Sequence, residues 1–537
     1  MKLNYIIQRS MQRLRRESVH WRTNRRAAAL NRAVEAAAPF DPGQRPVILF
    51  HASTRLSGVS LNAAYSQVAG WALRLAGAPV VRFVCHSGMS RCVLGTNRDD
   101  FSQPPPCGPC IAQSRGLYQG QDVRWFYEQR DPAVQSEIAG LGLEGLSNYS
   151  HAGVPLGQII LPALRWVLRR HHIRDDEANR FLYREYIHSA WSLYQQFCAV
   201  LEDTHAQAVV VFNGQFYPEA TARYAAQQRG LRVISHEVGL MPFSGYFTPG
   251  EATAYPIDIP DSFELTAEQN ARLDAYLEKR MQGNFSMAGI RFWPEMRALE
   301  PAFLERAAQF QQIVPVFTNV VFDTSQGHAN TLYPHMFAWL DEVLEAVRAH
   351  PETLFVLRAH PDESRPGKES RESVAGWVRE LGAANLPNLI FVDSGEYFSS
   401  YELIQKSHFV MIYNSTIGLE AALLGAPVLS AGRARFTQLP TVFFPQSAAE
   451  YRETLEKFLS GPVEAPPEFR RNARRFLYYQ LFRTSLPFGE FLEDDQIWRG
   501  YVTFKPLKPQ DLRVESSPTL RAVVNGILHD GNFLLEE

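Results

Sequence analysis

Short apolar runs alternate with helix-length amphipathic stretches along almost the whole chain, and this alternation constrains the fold more than any other feature. The runs are rich in Val, Ile and Phe, and most of them end in polar residues or glycine. The predicted strands are 46–53, 78–87, 206–214 and 231–239 in the first half, and 313–323, 352–361, 388–395, 408–416 and 426–432 in the second. Because strands that alternate with helices pair in parallel, the sequence predicts an α/β protein with two doubly wound, Rossmann-like halves.

The length of 537 residues also requires more than one hydrophobic core. Between the halves, residues 240–312 lack strong strand signals and hold one charged helix, so we expect the domain junction there. The predicted segments are a basic N-terminal helix over 1–40, a first domain over 45–290 with a cysteine-containing insertion at 88–157, a second domain over 310–465, and a C-terminal helix and tail over 466–537. We expect the tail to cross back onto the first domain.

The N-terminal segment is strongly basic, although the whole chain has a formal net charge of only -2, which argues against a general nucleic-acid binder. Its first 32 residues carry one lysine and eight arginines against a single acid, Glu17. Ile7, Met11 and Leu14 recur at helical spacing, so an apolar stripe with flanking arginines would fit an anionic bilayer surface. A helix docked on the body of the protein explains the pattern equally well.

Membrane spans and signal peptides need long apolar runs. No segment approaches the roughly 20 apolar residues of a span, and no apolar run of seven or more follows the N-terminal charges. The sequence therefore predicts a cytoplasmic protein, and the basic helix suggests peripheral binding at the inner face of the cell membrane.

Four of the five cysteines lie close together in the sequence, at Cys85, Cys92, Cys107 and Cys110. A cytoplasmic setting disfavours disulfides, and four thiolates that end in a C-x-x-C pair can hold one structural Zn²⁺ ion. Four unlinked thiols are the simpler alternative. The stretch CGPC also matches a thiol redox motif, but such a motif opens a helix after a strand, whereas the proline-rich flanks here predict a loop.

In the second half, polar residues collect where three predicted strands end, and ligands bind at such ends in open parallel sheets. They are Thr318, Asn319 and Asp323 after the first strand, Arg358, His360 and Pro361 after the second, and Asn414, Ser415 and Thr416 after the fourth. An anion at the last of these would meet hydroxyl groups and the first amides of a helix, with Gly418 allowing a close approach. Arg358 or His360 would neutralise a second charge, and Glu420 would accept from a ribose.

A simpler interpretation assigns no ligand to the Asn-Ser-Thr turn. Ser415 or Thr416 would then only cap the helix, and Glu420 would be a first-turn acid that the helix dipole favours. Taken alone, this interpretation is the better one. The presence of three polar strand ends in one sheet favours a phosphate site instead.

Three stretches, TNVVFD, LRAHPDE and YNSTIGLEAALLGAPVLSAG, resemble in order and spacing the C-terminal half of bacterial capsule polysaccharide biosynthesis proteins. These proteins are GT-B-type glycosyltransferases related to the Kdo transferases that build capsule linkers. The resemblance covers about 313–462 and, more weakly, 210–239. It implies two Rossmann-like domains that face a cleft, with His360, Ser415 and Thr416 holding the phosphate of a nucleotide-sugar donor and Glu420 at its ribose.

The acceptor side is less defined, because no acidic motif of the first half matches a catalytic base of that family. Base candidates at predicted strand ends are His51, His86, His236 and Glu237. The adjacent pair His236-Glu237, in SHEVG, is the best of these, since it would expose an imidazole or a carboxylate to the cleft. Asn213 would either bind an acceptor hydroxyl or make a turn.

The leading hypothesis is a glycosyltransferase that moves a sugar from a nucleotide-sugar donor to a growing surface or capsular glycan, free or lipid-linked. Protein donors would stabilise the leaving phosphate, so catalysis would need neither a metal ion nor a cofactor. One alternative transfers a polyol phosphate from a CDP carrier, as in the synthesis of teichoic-acid-like polymers. Another is a non-catalytic subunit that binds sugar nucleotides.

Overall fold

A computed structural model describes residues 2–39, 41, 43–52, 57–281, 297–396 and 399–537. It contains two large, mainly parallel sheets, each with helices on both faces. The predicted α/β class with two doubly wound, Rossmann-like domains is therefore confirmed. Elements of both domains line a common cleft, as the GT-B-like expectation requires.

The first sheet has seven strands and forms the first domain. From one edge to the other they are Leu486–Pro487, Ser244–Pro249, Arg232–Val238, Ala208–Phe212, Val47–His51, Val80–Cys85 and Asp122–Phe126. The last five pair in parallel, and the first two add an antiparallel edge. The central strands are buried throughout, which explains why they appear in the sequence as continuous apolar runs.

The two faces of the first sheet carry different helices, because successive side chains of a strand point to opposite faces. Ile48 and Phe50 pack under one group of helices, whereas Val47 and Leu49 pack under the other. The first group comprises Pro132–Ile138, Leu143–Ser147, Leu156–Leu168, Glu177–Thr204 and Tyr217–Gln227, and the second comprises Lys2–Ala37, Leu61–Leu75, Cys107–Leu117 and Pro518–Leu528.

The second sheet has five parallel strands and forms the second domain. In spatial order they are Leu389–Val392, Thr353–Arg358, Gln312–Phe317, Val410–Ile412 and Val428–Ser430. Each coincides with a predicted strand. The surrounding helices are Ala267–Met281, Pro301–Ala307, Gln326–Ala329, Met336–Ala349, Val374–Glu380, Ser400–Gln405, Ile417–Leu423, Ala448–Ser460 and Pro467–Tyr478.

Two predictions about the first domain are wrong. Residues 88–157 are not an insertion, because Asp122–Phe126 pairs in parallel with Val80–Cys85 and extends the first sheet. The helix Cys107–Leu117 is the crossover between these strands, and it begins at the first cysteine of CGPC. The junction segment contains an unpredicted strand, Ser244–Pro249, which runs antiparallel to Arg232–Val238.

The C-terminal tail returns to the first domain, as expected. Leu486–Pro487 pairs with Ser244–Pro249, and Tyr501–Phe504 pairs with both Leu492–Asp494 and Val59–Ser60 in a small antiparallel sheet. The helix Pro518–Leu528 packs in the same core as Leu61–Leu75. The first domain is thus built from both ends of the described chain.

The N-terminal helix, Lys2–Ala37, docks through its second half. Ala27 and Val34 are buried, and the buried amide of Asn31 accepts a hydrogen bond of 2.7 Å from Trp71 Nε1. Nearer the N-terminus the outward face is exposed: Met11, Leu14 and Trp21 expose 57%, 65% and 60% of their surface. Among the described residues, no helix is both long and apolar enough to cross a membrane.

Candidate functional site

A cleft of about 1040 Å³ opens at the carboxyl ends of the second-sheet strands. Its opposite wall includes Leu240, Thr253 and Pro256, which follow the strands of the first sheet. It brings together nearly all of the predicted donor-binding residues: Thr318, Asn319, Asp323, Arg358, His360, Pro361, Asn414, Ser415, Thr416 and Glu420. Gly418 is not among its lining residues.

Thr318 and Asn319 join the ends of neighbouring strands through hydrogen bonds. The buried hydroxyl of Thr318 donates to the carbonyl oxygen of Arg358 at 3.0 Å, and Asn319 Nδ2 donates to Asn414 Oδ1 at 2.8 Å. Thr318 and Asn319 therefore hold the rim of the cleft in shape. Asp323 lies beside them and accepts from the Ser325 hydroxyl at 3.1 Å.

Arg358 and His360 supply the polar groups at the second strand end. Burial lowers the pKa of Arg358 to about 10, so the guanidinium remains charged at neutral pH. Burial also lowers the pKa of His360. Its Nδ1 accepts from the amide of Asp362 at 3.1 Å, so a neutral ring carries its hydrogen on Nε2. His360 is thus arranged to donate one hydrogen bond to an anion without carrying a charge.

The Asn-Ser-Thr turn does not act as the cap that the simpler interpretation predicts. Thr416 is the N-cap residue, yet its side chain makes no hydrogen bond to the first turn of the helix Ile417–Leu423. Thr416 is exposed to the cleft and Ser415 lies beside it, buried. The Thr416 hydroxyl therefore does not cap the N-terminus of the helix, and both residues line a space large enough for a ligand.

Gly418 has a different role from the predicted one. A Cβ at this position would lie 2.4 Å from Ile412 Cδ1 and 3.1 Å from Phe436 Cζ, so the absent side chain allows the helix to pack on the strand beneath it. The Gly418 amide donates to the carbonyl of Ser415 at 3.1 Å. The prediction that Gly418 admits a ligand to the backbone is wrong.

Glu420 is buried and fully engaged. Its Oε1 accepts from Arg280 Nε at 3.0 Å and also from Nη2, while its Oε2 accepts from the Tyr401 hydroxyl at 2.5 Å. Burial alone would lower the pKa of Arg280, but the carboxylate beside it outweighs that effect and raises it. Both oxygens are thus already bonded within the protein, so Glu420 orients Arg280 and Tyr401, which also line the cleft, and its contact with a ribose stays a prediction.

Sequence reasoning missed most of the arginines that line the cleft, which are Arg280, Arg358, Arg365, Arg433 and Arg435. Arg433 is exposed, and no ion pair joins it to another described residue. Arg435 lies 4.3 Å above the ring of Tyr255. Both follow the strand Val428–Ser430, so the rule of polar strand ends would have found them had it been extended to the fifth strand.

The first-domain candidates Asn213 and Glu237 contact each other. Asn213 has a positive φ of 62°, and its Nδ2 donates to Glu237 Oε1 at 2.6 Å. The same amide lies 3.4 Å from the hydroxyl of Thr324 in the second domain. Asn213 makes the turn, its side-chain oxygen accepts from the amide of Gln215, and its polar atoms are already bonded. The pair joins the two domains.

The histidine candidates lie elsewhere. His236 is 2% exposed, and burial lowers its pKa to about 3, so its ring stays neutral. It faces a separate, smaller cavity at the carboxyl ends of the first-sheet strands, together with His51. His51 lies 3.0 Å from Arg82 Nη1, and His86 lies 3.0 Å from Arg115 Nη2. None of these three rings lines the large cleft.

The smaller cavity contains an acid that the sequence did not single out. Glu219, from the helix Tyr217–Gln227, is 6% exposed, and burial raises its pKa to about 8. It sits after a proline near the start of a helix, where an acid is expected for capping reasons alone, so no pattern distinguished it.

None of the four clustered cysteines, all of which lie in the described part of the chain, forms a disulfide. Burial raises the pKa of Cys85 above its usual value and that of Cys92 to about 12, while Cys107 and Cys110 are partly exposed at the start of a helix. The pair therefore opens a helix and does not lie in a loop, so that part of the prediction is wrong, but the helix begins well after the strand Val80–Cys85 ends and not directly at the strand end. The zinc site stays a prediction.

Known proteins resemble parts of the chain. Residues 296–452 match the family of capsule polysaccharide biosynthesis proteins. Protein FixF of Sinorhizobium fredii is 27% identical over 228 residues, which are 42% of this chain and 48% of that protein, so the match spans about half of the relative's length.

Two solved structures are similar at a lower level. The beta Kdo 2,4 transferase of KpsC from Thermosulfurimonas dismutans is 14% identical, with 52% of this chain and 80% of that chain covered and a TM-score of 0.35. UDP-GlcNAc 2-epimerase from Neisseria meningitidis bound to UDP-GlcNAc is 12% identical, with 81% and 99% covered and a TM-score of 0.22. These likenesses are too low to assign an activity. The family match is more specific, and it confirms the resemblance seen in the motifs: the segment 296–452, which holds every predicted donor-binding residue, matches the family of capsule polysaccharide biosynthesis proteins.

Proposed function

We propose that the protein is a glycosyltransferase that binds a nucleotide-sugar donor in the second domain and transfers the sugar to a surface or capsular glycan. One observation carries the proposal: the three motifs of the family resemblance line a single cleft of about 1040 Å³. Arginines also line this cleft, and guanidinium groups suit phosphate recognition. A site of this volume accommodates a nucleoside diphosphate and part of a sugar.

The proposed chemistry is electrostatic. Negative charge grows on the donor phosphate as the bond to the sugar breaks, and His360 Nε2–H, Arg358 and the hydroxyls of Ser415 and Thr416 would stabilise it. These groups act without a metal ion or a cofactor. We do not assign a role in phosphate binding to the dipole of the helix Ile417–Leu423, because the helix has only seven residues.

A base must accept the proton of the acceptor hydroxyl, and we propose Glu237 for this role. Its support is its place beside the domain contact: Glu237 accepts from Asn213, which also reaches Thr324 of the second domain. Glu237 is not itself among the residues that line the large cleft, and His236 faces the smaller cavity. The bond from Asn213 would orient the carboxylate. Asn213 is then a positioning residue and not a binding group for the acceptor.

Nucleotide binding tests the donor site directly. We expect one of CMP, CDP, UDP and GDP to raise the thermal midpoint of the full chain, since a ligand at 100 times its Kd adds about 2.7 kcal/mol of stability. Arg433→Gln should reduce this shift, whereas Arg379→Gln, an equally exposed arginine outside the cleft, should leave it unchanged. If no nucleotide shifts the midpoint, the donor site is refuted.

The products of donor hydrolysis separate the alternatives. A released sugar supports the glycosyltransferase, and a released polyol phosphate supports the CDP-polyol reaction. Nucleotide binding without release of either group supports a non-catalytic subunit.

We also propose that the N-terminal helix holds the protein at an anionic membrane surface, where lipid-linked acceptors are found. Met11, Leu14 and Trp21 share its exposed face with Arg15, Arg22 and other arginines. Each cationic side chain near an anionic leaflet adds about 1 kcal/mol of attraction. This arrangement combines apolar insertion with charge attraction.

Vesicle binding tests this surface. The full chain should sediment with phosphatidylglycerol vesicles and not with phosphatidylcholine vesicles, and the double variant Leu14→Glu/Trp21→Glu should stay in solution. The control Gln135→Glu/Gln228→Glu adds the same charge at exposed sites outside the helix, and it should still sediment. Equal sedimentation of both double variants would contradict the proposal.

A further inference from the structure

Three imidazole rings meet where the two domains touch, outside the cleft. His171 and His172 follow the helix Leu156–Leu168 of the first domain, and His335 precedes the helix Met336–Ala349 of the second. Their ligand nitrogens all lie within 4.8 Å of one another. We call these residues the histidine cluster. None of the proposed chemistry uses it, and no sequence pattern pointed to it, because His335 lies more than 160 residues away from its partners.

The spacing of two of these nitrogens fits a tetrahedral ion. His172 Nε2 and His335 Nε2 are 3.3 Å apart. Bonds of about 2.0–2.1 Å to a tetrahedral metal separate two nitrogen ligands by about 3.3–3.4 Å. A metal ion between the rings would therefore need little movement of either.

A carboxylate holds the ring of His172 and the backbone of both His171 and His172 in place. Glu372 Oε1 lies 2.5 Å from His172 Nδ1, and Glu372 Oε2 accepts from the backbone amides of His171 and His172 at 2.7 and 3.0 Å. A hydrogen on Nδ1 leaves the Nε2 lone pair of His172 directed at His335. A carboxylate behind a ligating histidine is the usual support of a metal site, since it fixes the tautomer and orients the ring. Its charge also offsets that of Arg165, which lies 3.4 Å from His171 Nε2.

Without metal, a hydrogen bond joins the rings of His172 and His335. His335 Nδ1 accepts from the amide of Ala338 at 3.1 Å and caps its helix, so the neutral ring carries hydrogen on Nε2 and donates to His172. A metal ion bound to His335 Nε2 must displace this hydrogen to Nδ1 of the same ring. His335 then loses its hydrogen bond from the Ala338 amide, which caps the helix. The ion therefore binds less tightly than in a closed structural site.

We propose that the histidine cluster binds one divalent transition-metal ion, of the class of Zn²⁺, Co²⁺ and Ni²⁺, that bridges the two domains. Imidazole nitrogen suits these ions. The side chain of His172 is 54% exposed, so the fourth position is open to water. The site is independent of the proposed transferase activity, and it differs from the predicted cysteine site in both ligands and location.

Cobalt is the best probe, because tetrahedral Co²⁺ absorbs visible light and Co²⁺–thiolate bonds add a strong near-ultraviolet band. The full chain, first treated with a chelator, should bind one Co²⁺ with a visible band, and the ion should raise its thermal midpoint. His172→Gln should lose both effects, and since His172 caps no helix the variant should still fold. His335→Gln should lose them too. The control His350→Gln, which removes a ring paired only with Glu352 and Glu456, should keep both.

The result that overturns the proposal is Co²⁺ binding of wild-type strength in His172→Gln and His335→Gln, or no visible band in the wild type. A thiolate band that disappears in Cys107→Ser would reveal the cysteine site instead. If His335→Gln alone keeps Co²⁺ binding of wild-type strength, the ion is held by the first domain only, and the bridging part of the proposal fails.

Discussion

His360→Ala is expected to lower sugar transfer by about 10²- to 10³-fold, the usual effect of removing one donor that stabilises developing negative charge. The reason lies in the neutral ring, whose Nδ1 is occupied by the amide of Asp362 and whose hydrogen is on Nε2. Because that Nδ1 also caps the short helix Pro361–Ser364, the alanine variant should lose about 1 kcal/mol of stability as well. Initial transfer rates and urea unfolding measure the two effects.

A second substitution separates the helix-capping role of His360 from its role as a hydrogen-bond donor to the phosphate. His360→Asn keeps an oxygen that accepts from the Asp362 amide, but it cannot place a donor where Nε2 lies. We expect near-native stability and the same loss of transfer. His350→Ala, outside the cleft, should retain full activity. If His360→Asn transfers sugar at the wild-type rate, His360 only caps the helix and does not stabilise the phosphate of the nucleotide sugar.

Glu420→Gln is expected to destabilise the second domain by about 3–5 kcal/mol, the usual result of breaking a buried ion pair from one side. Arg280 and Glu420 expose only 15% and 10% of their side chains, so a buried guanidinium would lose its neighbouring carboxylate charge. The sequence alone suggested that this variant would chiefly weaken nucleotide binding. The measurement is urea unfolding followed by a signal from the second domain.

A double-variant cycle decides whether the lost pair is the cause. Arg280→Met should also destabilise, because it leaves the Glu420 carboxylate with Tyr401 alone. The double variant has neither charge of the pair. Its loss of unfolding free energy should therefore be smaller than the sum of the two single losses by about 0.5–3 kcal/mol. Additive losses would show that the two residues act independently.

The strands of the second sheet could be predicted because they are largely buried among helices on both faces and therefore appear as mainly apolar runs. Several strands of the first domain could not, and two of them show why. Asp122–Phe126 is an edge strand with alternating exposed residues, and Ser244–Pro249 contains Ser, Gly, Thr and Pro. The first has polar residues because it is exposed at the edge of the sheet, and the second is buried between two strands but has the composition of a turn, so both look like loops.

The candidate site was predictable where one strand end supplies the whole feature, as at Arg358 and His360. It was not predictable where the partner is distant in sequence. The partner of Glu420 is 140 residues away, so the carboxylate looked free. Gly418 looked functional for a similar reason, since only the fold reveals that Ile412 lies beneath it.

The return of the tail to the first sheet has a consequence for how the chain folds. The second domain is complete once its helices up to Pro467–Tyr478 exist, but the first domain still lacks the edge strand Leu486–Pro487 and the helix Pro518–Leu528. During synthesis from the N-terminus, the first half must therefore wait with part of its core uncovered while the second half folds. The second domain is in effect an insertion within the first, and a chain cut at 484 would keep the second-domain helices but leave the first domain unable to close its core.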